Sequence, residues 1–447
     1  MVVVRGVEQA AAHVHGICLK TGPPRKTGVE LEWLVRDARD PALPVPAARI
    51  AQAVASFGPS DTGRPASTAP TEVLPTSAAP GILPSGAFLT AEPGGQLELS
   101  SLPADSLDDL IQSAATDLTA LRAALDGHGL DLTGLGLDPF RPPRRILDLP
   151  RYAAMETFFD RDGPWGRQMM GGTASVQVCL DAGDDGDTWT GYRYRWRLLH
   201  TIGPLLVAAF ANSPLREGHP TGWKSARQQI WANMDAGRTR PPLGENASDP
   251  RDGWARYALD AQVMCVRSPG NDWTAPPGLK FRDWIGARDG LRAPDMEDLA
   301  YHLSTLFPPV RPRGHFEIRM IDAQPGDGWI VPLAVTHALL ADEQAADAAM
   351  SAAERIWPGP PGAWPADAGD GDGGPDRDDG NPWITGARCG LEDPVIAQAS
   401  QDCLGAARAA LTRLNAPPLV TAPVDAFLEN YTQRGRCPAD DLLEEVS

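Results

Sequence analysis

Alternating apolar and polar residues predict two strands near the start of the chain, each with one polar face. Residues 28–35 read Gly-Val-Glu-Leu-Glu-Trp-Leu-Val, which puts Glu30 and Glu32 together on one face. Residues 96–100 follow a Pro-Gly-Gly turn and put Glu98 on a polar face in the same way. Neighbouring carboxylates resist burial unless a cation lies between them, so these faces are either solvated or part of a metal site.

Two later segments show the same alternation. Residues 171–181 place Gln177 on a polar face, and for this amide taken alone a cross-strand hydrogen bond is the favoured interpretation. Residues 314–325 contain His-Phe-Glu-Ile-Arg-Met-Ile-Asp, which places Glu317 and Arg319 on one face. Four predicted strands therefore each present a carboxylate or an amide on a polar face.

Helical spacing of apolar residues predicts most of the other elements. Ser106 is a typical N-cap for a helix that ends at Gly127. Further helices are expected over residues 44–57, 151–159, 190–211, 223–240, 296–306, 329–340 and 342–355 and beyond 392, and a strand over 257–266. Residues 58–86 and 359–380 are predicted loops. The Asp370-Gly-Asp-Gly run in the second resembles a calcium loop but lacks the closing carboxylate.

Composition excludes several functional classes for this chain of 447 residues. Its net charge is −18, from 58 acidic and 40 basic residues, and no Lys/Arg cluster is present. Nucleic acid is therefore not an expected partner, because binding to phosphate backbones needs a basic face. The six cysteines form no Cys-x-x-Cys pair, which argues against a zinc site and a disulfide framework. With no signal-peptide pattern and no apolar run that could cross a bilayer, we expect a cytoplasmic protein without a membrane partner.

The polar faces of the predicted strands point to magnesium chemistry. Carboxylate and amide oxygens without His or Cys are ligands that suit Mg²⁺. Several such groups around one cavity suggest two or more ions that grip a nucleoside triphosphate. Arg227, Arg238 and Arg319 could neutralise a transferring phosphoryl group or bind a substrate carboxylate. The chain has no P-loop, kinase signature or Gly-x-Ser-x-Gly elbow, so the residues alone predict another kind of Mg²⁺-dependent phosphoryl-transfer enzyme.

An ordered set of motifs resembles the plant and bacterial glutamate–cysteine ligase family, most of all its actinobacterial members that serve ergothioneine biosynthesis. The motifs run from about residue 28 to 340. They are Gly28-Val-Glu-Leu-Glu, Glu92-Pro-Gly-Gly-Gln-Leu-Glu-Leu-Ser, Met169-Met-Gly-Gly-Thr-Ala-Ser-Val-Gln-Val, Ala211-Asn-Ser-Pro, Ser225-Ala-Arg-Gln-Gln-Ile-Trp, Tyr257-Ala-Leu-Asp, His302-Leu-Ser-Thr-Leu-Phe-Pro and Phe316-Glu-Ile-Arg. Each motif is weak by itself, but the ordered set is specific.

The resemblance implies a fold and a reaction. The fold is α+β, with a curved, mainly antiparallel sheet of the glutamine synthetase and carboxylate–amine ligase type and helices on the outside. It implies one catalytic domain over 1–447, with a core at about 28–340, a helical C-terminal part at about 341–447, and a monomeric protein. In the implied reaction ATP phosphorylates the γ-carboxylate of L-glutamate, and the amine of L-cysteine displaces the phosphate to give γ-glutamylcysteine, the first step of ergothioneine biosynthesis.

The resemblance also assigns residues to roles. Two or three Mg²⁺ ions would be held by Glu30, Glu32, Glu98, Gln177 and Glu317. Glutamate would be held by Arg227 and Trp231, with Arg151 and Thr173 as further substrate-binding residues. Arg319 and Arg238 would be catalytic, and Asp235 and Arg238 would lie near the nucleotide.

One position departs from the plant pattern, because Cys179 stands where that pattern has Asn. Any contact made by that amide is therefore not carried over to this chain. Two alternatives stay open: a carboxylate–amine ligase of the same fold with another amine acceptor, and a noncatalytic protein that binds nucleotide or glutamate.

Overall fold

An antiparallel sheet forms the centre of the structure, a computed structural model that describes residues 2–58, 81–242, 249–286, 290–359 and 380–446. The strands are β1 Thr27–Asp37, β2 Gly81–Ile82, β3 Phe88–Ala91, β4 Leu97–Ser100, β5 Leu130–Thr133, β6 Ser175–Leu180, β7 Leu215–Arg216, β8 His219–Pro220, β9 Val310–Pro312 and β10 Phe316–Asp322. Their order is β2-β3-β4-β1-β6-β10-β9, with β5 paired to the far end of β1 and β7-β8 a separate hairpin. Every strand pair in the described residues is antiparallel.

Helices surround this sheet. They are α1 Val7–Cys18, α2 Ala47–Ala53, α3 Leu107–Asp126, α4 Pro150–Phe159, α5 Trp165–Gly172, α6 Tyr192–Ala209, α7 Ala226–Ala232, α8 Ala236–Thr239, α9 Pro250–Asp260, α10 Phe281–Gly286, α11 Met296–Leu303, α12 Ile330–Ala341, α13 Glu343–Glu354, α14 Pro382–Cys389, α15 Pro394–Arg413, α16 Pro418–Asn430 and α17 Pro438–Glu445. The predicted α+β class, with a mainly antiparallel sheet and helices outside it, is confirmed. No helix in the described residues is long and apolar enough to span a bilayer.

The pleat of the sheet gathers the predicted polar positions on one face. Glu30 lies opposite Gln177 where β1 pairs with β6, and Glu32 lies opposite Glu98 where β1 pairs with β4. Directly opposed residues on antiparallel strands project from the same face. The intervening Leu31 is only 1% exposed and belongs to the core, where α6 and α12 pack on the sheet. The alternation in the sequence therefore identified both faces of the central strands.

A β-bulge in β10 interrupts this regular pattern. The pairing of β10 with β6 shifts register between Ile318 and Ile321, a segment that contains Arg319. A bulge bends the strand and re-aims the side chains in it. The position of Arg319 therefore depends on the bulge as well as on the alternation of residues.

Two predicted elements differ from the structure. Residues 257–266 were expected to form a strand, but α9 extends to Asp260 and the following residues make only single bridges. Helix formation wins there because Asp249 caps the helix and Pro250 occupies its first turn. The predicted helix over 223–240 is two helices, α7 and α8, with a break before Asp235.

The long loop predictions fall largely on residues that the structure does not describe. Residues 59–80 of the predicted loop 58–86 and residues 360–379 of the predicted loop 359–380 lie outside the described ranges. The calcium-like Asp370-Gly-Asp-Gly run belongs to the second range. Of the first loop, the described part includes β2, which pairs with β3 at the edge of the sheet.

Candidate active site

One cavity lies over the polar face of the sheet, and most of the predicted site residues line it. They are Glu30, Glu32, Glu98, Arg151, Thr173, Gln177, Arg227, Trp231 and Arg319. The sheet supplies the acidic side of this cavity, while α4, α7 and the segment before β6 supply the remaining groups. Residues far apart in sequence are thus brought together in one cavity.

A group of three carboxylates stands out within this cavity. One carboxylate oxygen is taken from each of Glu32, Glu92 and Glu98, and these three atoms lie within 4.8 Å of one another. The sequence prediction missed Glu92, which lies in the turn between β3 and β4 and not on the alternating face of a strand. Its carbonyl accepts a hydrogen bond from the N–H of Gly95 at 2.8 Å, and its N–H donates to Gln96 at 2.8 Å. Its position at the start of the Pro-Gly-Gly turn, beside the predicted ligand Glu98, was the available signal.

The carboxylates of the sheet are crowded and poorly solvated. Burial raises the pKa of Glu30 to about 8, with further contributions from the nearby charges of Glu317 and Glu98. Burial also raises the pKa of Glu32 and of Glu98. A divalent cation would relieve this crowding, and a set made of carboxylate and amide oxygens fits the preference of Mg²⁺. The residues present therefore fit the metal that the resemblance implies.

Glu317 differs from the other carboxylates because arginines surround it. It is fully buried and does not line the cavity. Arg311 binds it with two hydrogen bonds of 2.7 and 3.1 Å, Arg313 donates to it at 3.3 Å, and Arg319 also contacts it. Burial alone would raise the pKa of Glu317, but the charges of Arg311, Arg319 and Arg313 lower it well below its usual value.

Three arginines from β9, β10 and the turn between them give the cavity a cationic side. Arg311, Arg313 and Arg319 all line it, and Arg319 also donates to the side-chain oxygen of Gln177. The sequence prediction included only Arg319. The other two lie in Val310-Arg-Pro-Arg, where a three-residue edge strand that ends in a proline gave no clear periodic signal.

Arg227 is the best-defined anion-binding group of the cavity. It is 1% exposed, lies at the start of α7, and its Nη2 donates to the carbonyl of Arg319 at 2.8 Å. Its guanidinium carbon is 4.5 Å from the centre of the Trp231 ring. The Nε and Nη1 atoms have no hydrogen-bond partner among the described residues. A buried guanidinium with free N–H groups is suited to bind a carboxylate.

Part of the cavity lining is less polar. Met155, Met169 and Phe307 line it together with Trp231. Arg151 lies beside this apolar surface, where its Nη1 donates to the Ser304 hydroxyl at 3.1 Å. The cavity thus offers an apolar wall with a cation at its edge.

Thr173 also lines the cavity, in the segment just before β6. Its hydroxyl donates to the carbonyl of Met169 at 2.7 Å. This bond fixes the threonine at the end of α5, next to the apolar wall.

The structure does not bring Arg238 and Asp235 to this cavity. Arg238 is fully buried, donates to the carbonyls of Thr305 and Gln262 at 2.6 Å each, and stacks over Phe158. Asp235 caps α8 through the N–H of Gly237 and pairs with Arg238 at 3.1 Å. Both side chains hold loops together, and neither lines the site where a nucleotide would meet the carboxylates.

Comparison with models of protein families identifies the family of this chain. The model described as glutamate-cysteine ligase family 2 matches residues 26–446. The chain belongs to this glutamate–cysteine ligase family. The match includes the sheet that carries the carboxylates and also the helices after residue 341, so the family pattern extends beyond the motifs that revealed the resemblance.

Individual members of the ligase family match nearly the whole chain. Glutamate–cysteine ligase EgtA of Mycobacterium tuberculosis is 37% identical over 444 residues, which cover 98% of this chain and 90% of the relative. EgtA of Mycolicibacterium smegmatis is 36% identical, covering 98% of this chain and 91% of the relative. A solved glutamate–cysteine ligase of Francisella tularensis, in complex with AMP, is 11% identical with a TM-score of 0.45, covering 96% of this chain and 85% of that one.

The position that departs from the plant pattern of the family lies beside the site. Cys179 pairs with Glu317 across β6 and β10 and with Gly28 across β6 and β1. Burial, followed by the charges of Glu30 and Glu317, raises the pKa of its thiol well above the usual value. The thiol is therefore protonated at neutral pH. Cys179 also does not line the cavity.

Proposed function

We propose that this chain joins the γ-carboxylate of L-glutamate to the amine of L-cysteine at the expense of ATP. The products are γ-glutamylcysteine, ADP and phosphate. The observation that carries the proposal is the cluster of Glu32, Glu92 and Glu98, which shares one cavity with the buried anion-binding group of Arg227. Family membership supports the same reaction.

The acidic wall would hold the metal ions. Glu32, Glu92 and Glu98 form one group of ligands, and Glu30 with Gln177 lies next to it on the same face, so two or three ions are proposed. When bound, Mg²⁺ offsets the charge of the triphosphate and lets an anionic nucleophile approach it. The sheet fixes these ligands before substrates arrive, which lowers the entropic cost of assembling the site.

The cationic side would act on the phosphoryl group and on glutamate. Arg227 would bind a carboxylate of glutamate, with Trp231 stacked against the guanidinium. The γ-carboxylate oxygen would then attack the terminal phosphorus of ATP, the bond to ADP would break, and an acyl phosphate would form. Arg319, with Arg311 and Arg313 nearby, would stabilise the charge on the transferring group. A carboxylate is a poor electrophile, so this step supplies the leaving group that amide formation needs.

The apolar wall would select the amine acceptor. Met155, Met169 and Phe307 suit a small apolar side chain such as the CH₂–SH of cysteine, because thioethers and aromatic rings pack well against sulfur. Arg151 at the edge of this wall could bind the acceptor's carboxylate. The amine would attack the acyl carbon, phosphate would leave, and the amine would lose a proton. A same-fold ligase with another small apolar amino acid as acceptor is the second candidate, since a hydrophobic pocket discriminates weakly between similar side chains.

Further features of the protein are part of the proposal. The near-full-length similarity to the mycobacterial EgtA enzymes supports a role in the first step of ergothioneine biosynthesis. We propose that the chain acts as a monomer with one catalytic domain, in the cytoplasm, and without nucleic acid or membrane partners. The proposal that nucleic acid is not a partner rests on the net charge of −18.

The deciding experiment measures ADP release with ATP, Mg²⁺ and glutamate while the amine is varied. Cysteine should give the highest kcat/KM, and the product should be γ-glutamylcysteine by mass. Higher kcat/KM with another amino acid would favour the second candidate. ATP binding without turnover for any amine would instead indicate a noncatalytic binding protein.

Arg227→Ala tests the assignment of the glutamate site. Loss of a charge-assisted, bidentate contact should raise the KM for glutamate by about 30-fold or more, with a much smaller change for ATP. Arg238→Met is the contrasting variant, because that arginine is buried away from the cavity. It should lower the thermal unfolding midpoint without a selective effect on glutamate. Equal increases in both KM values for Arg227→Ala would contradict its role.

A further inference from the structure

Next to Arg227 lies a buried carboxylate that the proposed reaction does not use. Asp322 is the last residue of β10, is 2% exposed and does not line the cavity. Its Oδ2 accepts hydrogen bonds from the N–H of Asn212 at 2.9 Å and the hydroxyl of Ser213 at 2.7 Å. Its Oδ1 accepts from the hydroxyl of Ser225 at 3.0 Å. Three donors from two segments thus converge on one carboxylate.

The surrounding backbone is shaped around this carboxylate. A Cβ atom at Gly136 would lie 2.4 Å from the carboxyl carbon of Asp322, so no larger residue fits there. The N–H of Gly136 donates to the carbonyl of Asn212 at 3.0 Å. The side-chain amide of Asn212 in turn donates to the carbonyls of Gly134 and Ala323 at 2.9 and 2.8 Å. The segment that carries Ser213 is therefore fixed from several sides.

Asp322 is connected to Arg227 in two ways. The Nη1 of Arg227 is 3.8 Å from Oδ1 of Asp322, and both side chains are buried. In addition, the N–H of Arg227 donates to the hydroxyl of Ser213 at 3.2 Å, while that hydroxyl donates to Asp322. Asp322 is the one carboxylate at ion-pair distance from Arg227 among the described residues. Asp322 therefore both balances the charge of Arg227 and helps to fix its position.

We propose that Asp322 is a positioning residue for glutamate binding, which acts through Arg227 and Ser213. This inference rests on the function proposed above, in which Arg227 binds glutamate. A buried guanidinium needs a nearby negative charge, and Asp322 supplies it from outside the cavity. The same carboxylate accepts a hydrogen bond from Ser225, the N-cap of α7, and so fixes the start of the helix that carries Arg227. Without this charge, Arg227 would turn towards the acidic wall of the cavity, where Glu32 lies.

The test is Asp322→Asn, which keeps the size of the side chain and removes its charge. The KM for glutamate should rise by about 10-fold or more, while the KM for ATP changes by less than about 2-fold. Asp117→Asn is the matched control: Asp117 is also buried, at 1% exposed, and holds a loop through the N–H groups of Ser85 and Ala87. It does not line the cavity, so both KM values should stay as in the wild type.

A second variant covers the case in which Asp322→Asn does not fold. Ser213→Ala removes the hydroxyl that links Asp322 to the N–H of Arg227 and should raise the KM for glutamate by about 3-fold or more. An unchanged glutamate KM in the folded variant, or equal increases for glutamate and ATP, would overturn the assignment. Absence of turnover in the wild-type protein would reject the proposed function itself, and this assignment with it. The wild-type assay therefore distinguishes failure of the proposed function from failure of the Asp322 assignment alone.

Discussion

Glu92 belongs to one of the sequence motifs, but its place in the site was not predicted. Its carboxylate lies within 4.8 Å of those of Glu32 and Glu98, so it should share their cation. Glu92→Gln keeps the shape and removes the charge. The Mg²⁺ concentration that gives half-maximal activity should rise by about 10-fold or more, as expected for loss of an anionic ligand. Activity measured against Mg²⁺ concentration at fixed MgATP checks this prediction.

Glu156→Gln is the control for this measurement. Glu156 is also partly buried and close to arginines, with Arg145 at 3.1 Å, but it is not one of the three clustered carboxylates. The Mg²⁺ requirement of Glu156→Gln should match that of the wild type. If Glu92→Gln behaved like this control, Glu92 would not be a ligand.

Glu30 makes the effect of Mg²⁺ depend on pH. Burial and the neighbouring carboxylates raise its pKa from its ordinary value to about 8. The folded protein therefore keeps this proton up to about pH 8, whereas the unfolded chain loses it at the ordinary pKa of a glutamate. The contribution of protonated Glu30 to the free energy of unfolding is therefore lost as the pH rises through about 8. A cation needs the ionised form, so stabilisation by Mg²⁺ should increase between about pH 6 and pH 8.5.

Thermal unfolding with and without Mg²⁺ across this pH range measures the effect. In Glu30→Gln the side chain does not titrate, so the Mg²⁺-dependent shift of the midpoint should be smaller and should change less with pH than in the wild type. A wild-type shift that is constant with pH would show that Glu30 does not control cation binding.

At the level of elements, the alternation of apolar and polar residues predicted the central strands correctly, whereas the predicted helix boundaries were less accurate. Strand β1 was predictable because burial of Leu31 and Trp33 demands the period of two that the sequence shows. The α9 region was mispredicted because Tyr257-Ala-Leu-Asp-Ala fits either period, and the cap at Asp249 decides it. The sequence could not reveal how deeply a polar face is buried, and the exclusion of Glu317 from the cavity depends on the three arginines that enclose it.

The turn between β3 and β4 illustrates a contact that only the structure reveals. A Cβ atom at Gly94 would lie 2.4 Å from the carbonyl oxygen of Gly171, at the end of α5. Gly94→Ala should therefore push this turn away from α5 and displace Glu92 from the carboxylate cluster. We expect a loss of activity of about 10-fold or more together with a higher Mg²⁺ requirement.

Gly405→Ala is the matched control for that variant. Gly405 lies inside α15, and a Cβ atom there would meet no atom within 4 Å. This variant should keep full activity and gain a little stability, about 0.5–1 kcal/mol, because alanine favours the helix. Full activity in Gly94→Ala would show that the turn adapts without moving Glu92.

At the level of the whole molecule, the C-terminal helices are tied to the segment that leads into the site. The N–H of Ser225 donates to the carbonyl of Ala387 at 2.8 Å, and the N–H of Ala439 donates to the carbonyl of Ala211 at 2.9 Å. Ser225 is also the cap of α7, which carries Arg227. These contacts favour one cooperative unit, as the resemblance implies, over a separate helical domain.

Asp440→Asn tests this coupling. The ammonium of Lys224, whose side chain is 9% exposed, contacts Asp440 and, at 2.6 Å, the exposed Glu392. Loss of the Asp440 charge leaves a buried cation with one solvent-exposed partner, so stability should fall by about 2 kcal/mol. Glu444→Gln on the same helix breaks only an exposed pair with Arg436 and should leave the stability nearly unchanged. Urea unfolding, followed by fluorescence and by loss of activity, should show one shared transition in the wild type and in both variants, shifted only in Asp440→Asn. Separate transitions for the two signals would indicate two independent domains.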